Sequence, residues 1–242
     1  MSVKKDKLKI GIFSLSSCEG CLVQMLNLED YLLEIFENLS LVECRILGVK
    51  NGDEIDVAIV EGAVMSDDEE KRLAKIRQKS KILVAFGDCA CHGGKFIVKD
   101  FDVEEIDTKL PRTGKFRAYP LDKYVKVDYY VFGCPVDKGE VLDLFKDLLL
   151  GRIHVSKSYN VCAECILREN ACLLDLGIPC LGPITRGGCK AACPSVGREC
   201  IGCRGLAEDA NIESLISIMK EKGIEIPEYL YNLQKYARGG ST

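Results

Sequence analysis

LKIGIFSLSSCEGC, residues 8–21, carries a short apolar, partly β-branched run directly into two cysteines, Cys18 and Cys21. Such a run, bounded by serine and glycine, predicts a buried strand over 8–15. The next stretch, CLVQMLNLEDYLLEIFEN (21–38), sets Leu22, Met25, Leu26, Tyr31, Leu32, Ile35 and Phe36 roughly three and four apart, which predicts a helix. Strand-like runs recur at LVECRIL (41–47), IDVAIVEG (55–62), KILVAFGDC (81–89) and VDYYVFGCP (127–135). Between them, Ser66 with Glu69 forms a capping-box pattern that opens a polar helix, and Asp137 with Glu140 opens another that ends near Gly151. Strands alternating with helices predict an α/β fold, a doubly wound parallel sheet close to the flavodoxin-like arrangement.

Sheets of this kind place their sites beyond the carboxyl ends of the strands. Cys18 and Cys21 follow the first strand, Cys89 ends the fourth and Cys134 ends the fifth, so four thiols are expected at one edge. Gly87, Gly133, Gly93 and Gly94 stand beside them and allow backbone to approach a bulky ligand. SLSSCEGC matches neither the P-loop nor the G-x-G-x-x-G pattern, which argues against a nucleotide there.

After Gly151 the texture changes, and glycine, proline and cysteine dominate residues 159–205. The expected organisation is a flavodoxin-like domain over 1–151 and a smaller irregular domain over 152–242. The second contains Cys162, Cys165, Cys172, Cys180, Cys189, Cys193, Cys200 and Cys203, eight thiols that make two sets of four. With few long apolar runs, metal coordination is expected to supply much of its order. Beyond Cys203, residues 211–236 read as an amphipathic helix with no evident chemistry.

The composition bounds what these thiols do. The chain has 242 residues, 14 cysteines, two histidines and a net charge of −4. The charge offers no footprint for nucleic acid or an anionic membrane, so protein partners are expected. No stretch reaches the roughly 18 apolar residues of a membrane span, and residues 1–13 lack the h-region of a secretory signal, so a cytoplasmic location is expected. A reducing compartment disfavours a disulfide scaffold and favours thiolate-bound metal. Both zinc and iron-sulfur clusters use four thiolates. The Cys134-Pro135 and Cys193-Pro194 pairs, and a third set of four on the sheet edge, favour iron-sulfur and a row of electron carriers, although the common ferredoxin run C-x2-C-x2-C-x3-C-P is absent.

C-x2-C after the first strand, VEG after the third, G-x-C-x3-GG after the fourth, GCP after the fifth, then C-x2-C, CLLDLGIPCLGP, T-x2-GC and CIGC together resemble the small subunit of [NiFe] hydrogenases. The likeness is to the cytoplasmic branch of methanogens and sulfur-reducing archaea, over residues 8–205. It implies an electron-transfer subunit that carries three [4Fe-4S] clusters. Cys18, Cys21, Cys89 and Cys134 would hold the proximal one, Cys162, Cys165, Cys172 and Cys180 the distal one, and Cys189, Cys193, Cys200 and Cys203 the medial one. Cys162 stands where the periplasmic pattern has histidine, and Cys193 where it has proline, so all-thiolate ligation and a medial [4Fe-4S] cluster are implied. The implied partners are the large subunit with its Ni-Fe centre and a further acceptor subunit, a flavin or iron-sulfur protein. The ending EYLYNLQKYARGGST (228–242) has no cysteine pair for nickel, which places H2 cleavage in another chain. The absence of a twin-arginine leader agrees with the cytoplasm. An iron-sulfur subunit of a related complex without a Ni-Fe centre is the alternative.

Three sets of four leave Cys44 and Cys91. Cys44 reads as a small buried hydrophobe, whereas Cys91, two residues from Cys89, could replace it as ligand. His92 reads either as a hydrogen-bond donor to a sulfide or as a solvated loop residue. Glu61, at the edge of the first set, has a capping or salt-bridge role or one at the partner interface or in proton relay. Glu19 lies between two ligands and would tune cluster charge or meet the partner. Lys157 and Arg186 are surface charges or contacts for an electron-transfer partner.

Overall fold

The computed structural model describes residues 7–94, 118–227 and Leu230. Among these residues, β1 (Leu8–Ser14), β2 (Leu39–Cys44), β3 (Val49–Lys50), β4 (Ile55–Glu61), β5 (Ser80–Phe86) and β6 (Tyr129–Val131) form one sheet in the order β3-β2-β1-β4-β5-β6. Every adjacent pair is parallel except β2 with β3. Counted alone, the five parallel strands run 2-1-3-4-5, the flavodoxin-like order, with its switch point between β1 and β4.

The central strands are apolar at nearly every position because both faces are covered. Successive side chains point to opposite faces. Val57, Ile59, Val84 and Phe86 therefore pack with Leu22, Met25, Val141, Leu144 and Phe145 on one side. Ala58, Val60, Leu83 and Ala85 pack with Leu73, Ile76 and Leu121 on the other. The helices responsible are α1 (Gly20–Leu26), α2 (Asp30–Asn38) and α5 (Lys138–Leu150) on the first face, and α3 (Asp67–Lys79) and α4 (Asp88–His92) on the second.

The sheet and its helices differ from the sequence expectation in the following ways. The helix expected over 21–38 is two helices, α1 and α2. Glu29 adopts φ 56° between them, and Leu28 is buried at 2% exposure, so the chain turns to seat Leu28 in the core instead of continuing the spiral. The fourth and fifth strands end earlier than expected, at Phe86 and Val131, which places Cys89 in α4 and Cys134 in a turn. The two-residue, reversed β3 is too short to show a period of two.

The expected caps form. Ser66 Oγ accepts the Glu69 N–H at 3.2 Å, while the Glu69 carboxylate takes the Met65 N–H at 2.8 Å and the Ser16 hydroxyl at 2.9 Å. Asp137 accepts the N–H groups of Gly139 and Glu140, and Gly151 ends α5 with φ 64°.

The described residues divide into two compact units between Ser156 and Lys157. In the second unit, α6 (Val161–Leu167) and α7 (Ile212–Glu221) are joined by long irregular segments. Helix α7 is shorter than the expected 211–236, because Gly223 takes φ 66° and Pro227 follows soon after; residues 228, 229 and 231–236 lie outside the described residues. The second unit also has an apolar core of its own, in which Val161, Leu173, Leu181, Ile184, Leu215 and Met219 pack around Cys180 and Cys200. Apolar packing thus supplies part of its order.

Candidate functional site

In the first unit, register brings Ser14 beside Glu61, and Glu61 beside Phe86, so β1, β4 and β5 finish at one level. Beyond that level the loops are zipped together. Leu15 N–H donates to Glu61 O at 2.9 Å and Ala63 N–H to Ser16 O at 2.9 Å. Gly87 N–H donates to Val131 O and Asp88 N–H to Gly133 O, both at 2.8 Å. Cys18 and Cys134 ride on these loops, Cys21 lies in the first turn of α1 and Cys89 in α4.

Burial pushes the Cys21 thiol up to about 12; a hydrogen bond from the Val136 N–H opposes the rise, and Glu61, Cys134 and Cys89 add to it by repulsion. Cys89 rises to about 11, again first through burial, then through Asp88, Cys134 and Cys18. Cys21 thus feels Cys134 and Cys89, and Cys89 feels Cys134 and Cys18, so the four sulfurs share one neighbourhood. The backbone is cut close to the sulfurs. A Cβ on Gly87, whose φ is +87°, would lie 2.3 Å from Cys21 Sγ, and one on Gly94 would lie 3.0 Å from Cys89 Sγ.

Glu61 is buried at 3% exposure. Its Oε2 accepts the Leu22 N–H at 3.0 Å, and its Oε1 faces the Ser17 hydroxyl at 3.2 Å and the Ser14 hydroxyl at 3.4 Å. Glu19, the N-cap residue of α1, makes no side-chain cap of its own. Glu61 supplies that cap from β4. Burial raises the Glu61 carboxyl, against these three hydrogen bonds. Glu19, with φ 58°, instead pairs with Arg45.

Cys44 is fully buried in the first face of the core. Cys91, in α4, is buried against the sheet, its thiol donating to Ala85 O at 3.5 Å and Val131 O at 3.6 Å. The His92 ring stacks on Phe132 at 5.2 Å.

In the second unit, Cys162 and Cys165 lie on α6. Burial, then repulsion from Cys180, Cys165 and Cys172, pushes Cys162 up to about 11, so these four share one neighbourhood. Gly182 packs against the sulfurs of Cys162 and Cys180, where a Cβ would sit 3.4 and 3.5 Å away. Cys200 rises to about 12, chiefly by burial, and feels Cys180 and Cys203; its N–H reaches Cys180 Sγ at 3.5 Å. Cys189 is raised by burial, with repulsion from Glu164 added. Cys193 is exposed at the start of the short turn 194–196. Arg186 donates to Lys157 O at 2.8 Å and approaches Glu208 at 3.5 Å.

Among the described residues, no three His, Cys, Asp or Glu side chains close around a point as ligands of one ion would. The thiols form looser groups. Soft all-sulfur donors with close-packed glycine backbone suit a polynuclear iron-sulfur group.

Two residues escape the sequence reading. Glu164 is buried between Cys162 and Cys165, and Arg204 is buried next to Cys203 at 1% exposure. Their only signal in sequence is a charged residue inside or beside a C-x2-C turn.

The family described as NADH ubiquinone oxidoreductase, 20 Kd subunit, matches residues 18–148. Sulfhydrogenase 2 subunit delta of Pyrococcus furiosus is 39% identical, over 88% of this chain and 93% of that protein. The chain belongs to the small-subunit family of [NiFe] hydrogenases. A second relative of this small subunit, from the F420-non-reducing hydrogenase of Methanocaldococcus jannaschii, is 30% identical over 94% of each chain. Among solved structures, a chain of an NAD+-reducing [NiFe]-hydrogenase in the H2-reduced state matches 62% of the small subunit and 95% of its own length, at a TM-score of 0.53 and 28% identity. No helix among the described residues is long and apolar enough to cross a membrane.

Proposed function

We propose that this chain relays electrons within a cytoplasmic [NiFe] hydrogenase through three [4Fe-4S] clusters. The observation that carries the reading is the arrival of Cys18, Cys21, Cys89 and Cys134 from three strand ends at one sheet edge, with Gly87 and Gly94 packed on their sulfurs. These four hold the proximal cluster in the first unit. Cys162, Cys165, Cys172 and Cys180 hold the distal one, and Cys189, Cys193, Cys200 and Cys203 the medial one, both in the second unit. The clusters supply one-electron carriers of low potential. The protein's part is to ligate, orient and shield them: buried sulfurs and backbone donors such as the Val136 N–H set the dielectric and the hydrogen bonding around each group. H2 cleavage belongs to the large-subunit partner, and a flavin or iron-sulfur subunit takes the electrons.

The family match over residues 18–148 alone also suits an iron-sulfur subunit of a complex without a Ni-Fe centre. The relatives that extend through the second unit weigh against it.

The test is anaerobic purification of the chain with its partners, followed by iron, sulfide, zinc and nickel analysis and EPR after reduction. About twelve irons per chain with a nickel-bearing partner is the expected result. Zinc in place of iron overturns the reading, and iron without nickel favours the alternative.

A further inference from the structure

The loop 187–191, which carries Cys189, has a backbone that its own residues do not explain. Lys190 and Ala191 take φ of 55° and 48° in succession. For non-glycine residues this conformation is strained and persists only where the surroundings impose it. Ala191 is fully buried, and nothing in its methyl group asks for a left-handed backbone.

What imposes it is the Glu164 carboxylate. Oε1 accepts the Gly188 N–H at 2.7 Å and the Tyr159 hydroxyl at 3.2 Å, and Oε2 accepts the Ala191 N–H at 3.2 Å. Cys189 Sγ lies 3.9 Å from Oε2. Backbone N–H groups in such turns form a concave nest for an anion, and here the anion is a side chain of α6. The loop is gripped on its other flank as well. Arg204 Nε donates to Gly187 O at 2.8 Å, Gly187 N–H donates to Tyr159 O at 2.7 Å, and Ser195 donates to Ala191 O through both N–H and hydroxyl, at 3.0 and 2.9 Å.

We propose that Glu164 is a positioning residue for the Cys189 thiolate. It sits between two cysteines of one set and holds, through each of its oxygens, the loop that aims a cysteine of the other. The α6 C-x2-C turn and the Cys189 loop therefore share one buried clamp. A change at Glu164 reaches the Cys189 cluster first. The inference rests on the assignment of Cys189 as a cluster ligand.

The experiment uses the complete complex, wild type, Glu164→Gln and Glu164→Ala, each titrated by EPR against potential with iron counted. Glutamine keeps one acceptor but turns an amide N–H2 toward the second donor. The expected E164Q complex retains its iron while one of the three cluster signals changes line shape and midpoint potential and the other two do not. The E164A complex loses about a third of its iron, the share of one cluster of three. Adding Lys190→Gly to E164Q, which removes the left-handed penalty at an exposed position, moves the altered signal back toward wild type. E164Q signals identical to wild type, equal change in all three signals, or no rescue by K190G overturns the proposal while leaving the cluster assignment intact. A wild-type complex without iron overturns the assignment and the proposal together. Where E164A does not fold, E164Q and its rescue decide.

Discussion

Glu61 Oε2 accepts the Leu22 N–H at 3.0 Å, so a residue at the end of the central strand β4 caps the helix that starts between Cys18 and Cys21. An unpaired buried N–H costs about 1–3 kcal/mol. Glu61→Ala is expected to lower stability by that amount and to release iron from the first set of cysteines, with Glu61→Gln intermediate. Thermal unfolding and iron content measure both, and an E61A protein with wild-type iron would show that the cap does not orient the cysteine turn.

Gly87 leaves no room for a side chain. A Cβ there would sit 2.3 Å from Cys21 Sγ, on a backbone at φ +87°. Gly87→Ala is expected to displace Cys21 and lose one cluster's iron while the second unit keeps its own. Gly48→Ala, with φ +66° and nothing within 4 Å of the new methyl, is the control: strained backbone, no clash, full iron.

Cys89 and Cys91 are neighbours in sequence with opposite surroundings. Cys89 lies within the field of Cys18 and Cys134 and repels Cys21, and Cys91 bonds to strand carbonyls within the core. Cys89→Ala should remove one cluster, detected as a missing EPR signal. Cys91→Ala should keep every signal and lose only about 1 kcal/mol of packing and hydrogen bonding; iron loss in C91A would exchange the two assignments.

Asp128 gives the first unit a pH-dependent tie. Burial works against its ionisation, but the Leu83 N–H at 2.9 Å and the Arg77 guanidinium at 2.5 Å outweigh it and hold the carboxyl below the usual carboxylate range. A lowered folded value means that the contribution is complete above the unfolded pKa of about 3.9 and is lost as pH falls through the folded one. The stability gap between wild type and Asp128→Asn is expected at about 2 kcal/mol from pH 7 to 5. It should narrow below about pH 4, as followed by denaturant unfolding. A gap that widens in acid would contradict the pairing.

The centre of the sheet is legible in sequence because β1, β4 and β5 are buried on both faces, and nothing but an apolar β-branched run survives there. The cysteine edge is legible because the fold rule ties it to strand ends. The break between α1 and α2 is not, since Leu28 keeps an apolar residue in the pattern while the backbone turns beneath it. Glu164 is hidden for a different reason. The two loop groups it holds are backbone N–H groups more than twenty residues away, which carry no side-chain signature. Helix α7 is read too long because periodicity runs on past the glycine that ends it.

Among the described residues, the two outermost strands are the shortest, β3 with two residues and β6 with three. A strand from a foreign chain needs a row of unpaired amides and carbonyls to lengthen a sheet. These margins offer it almost no template. Sideways growth into fibres is thereby discouraged, and association is steered to loop-bearing surfaces, where partners are chosen by side chains instead of by backbone that any sequence can match.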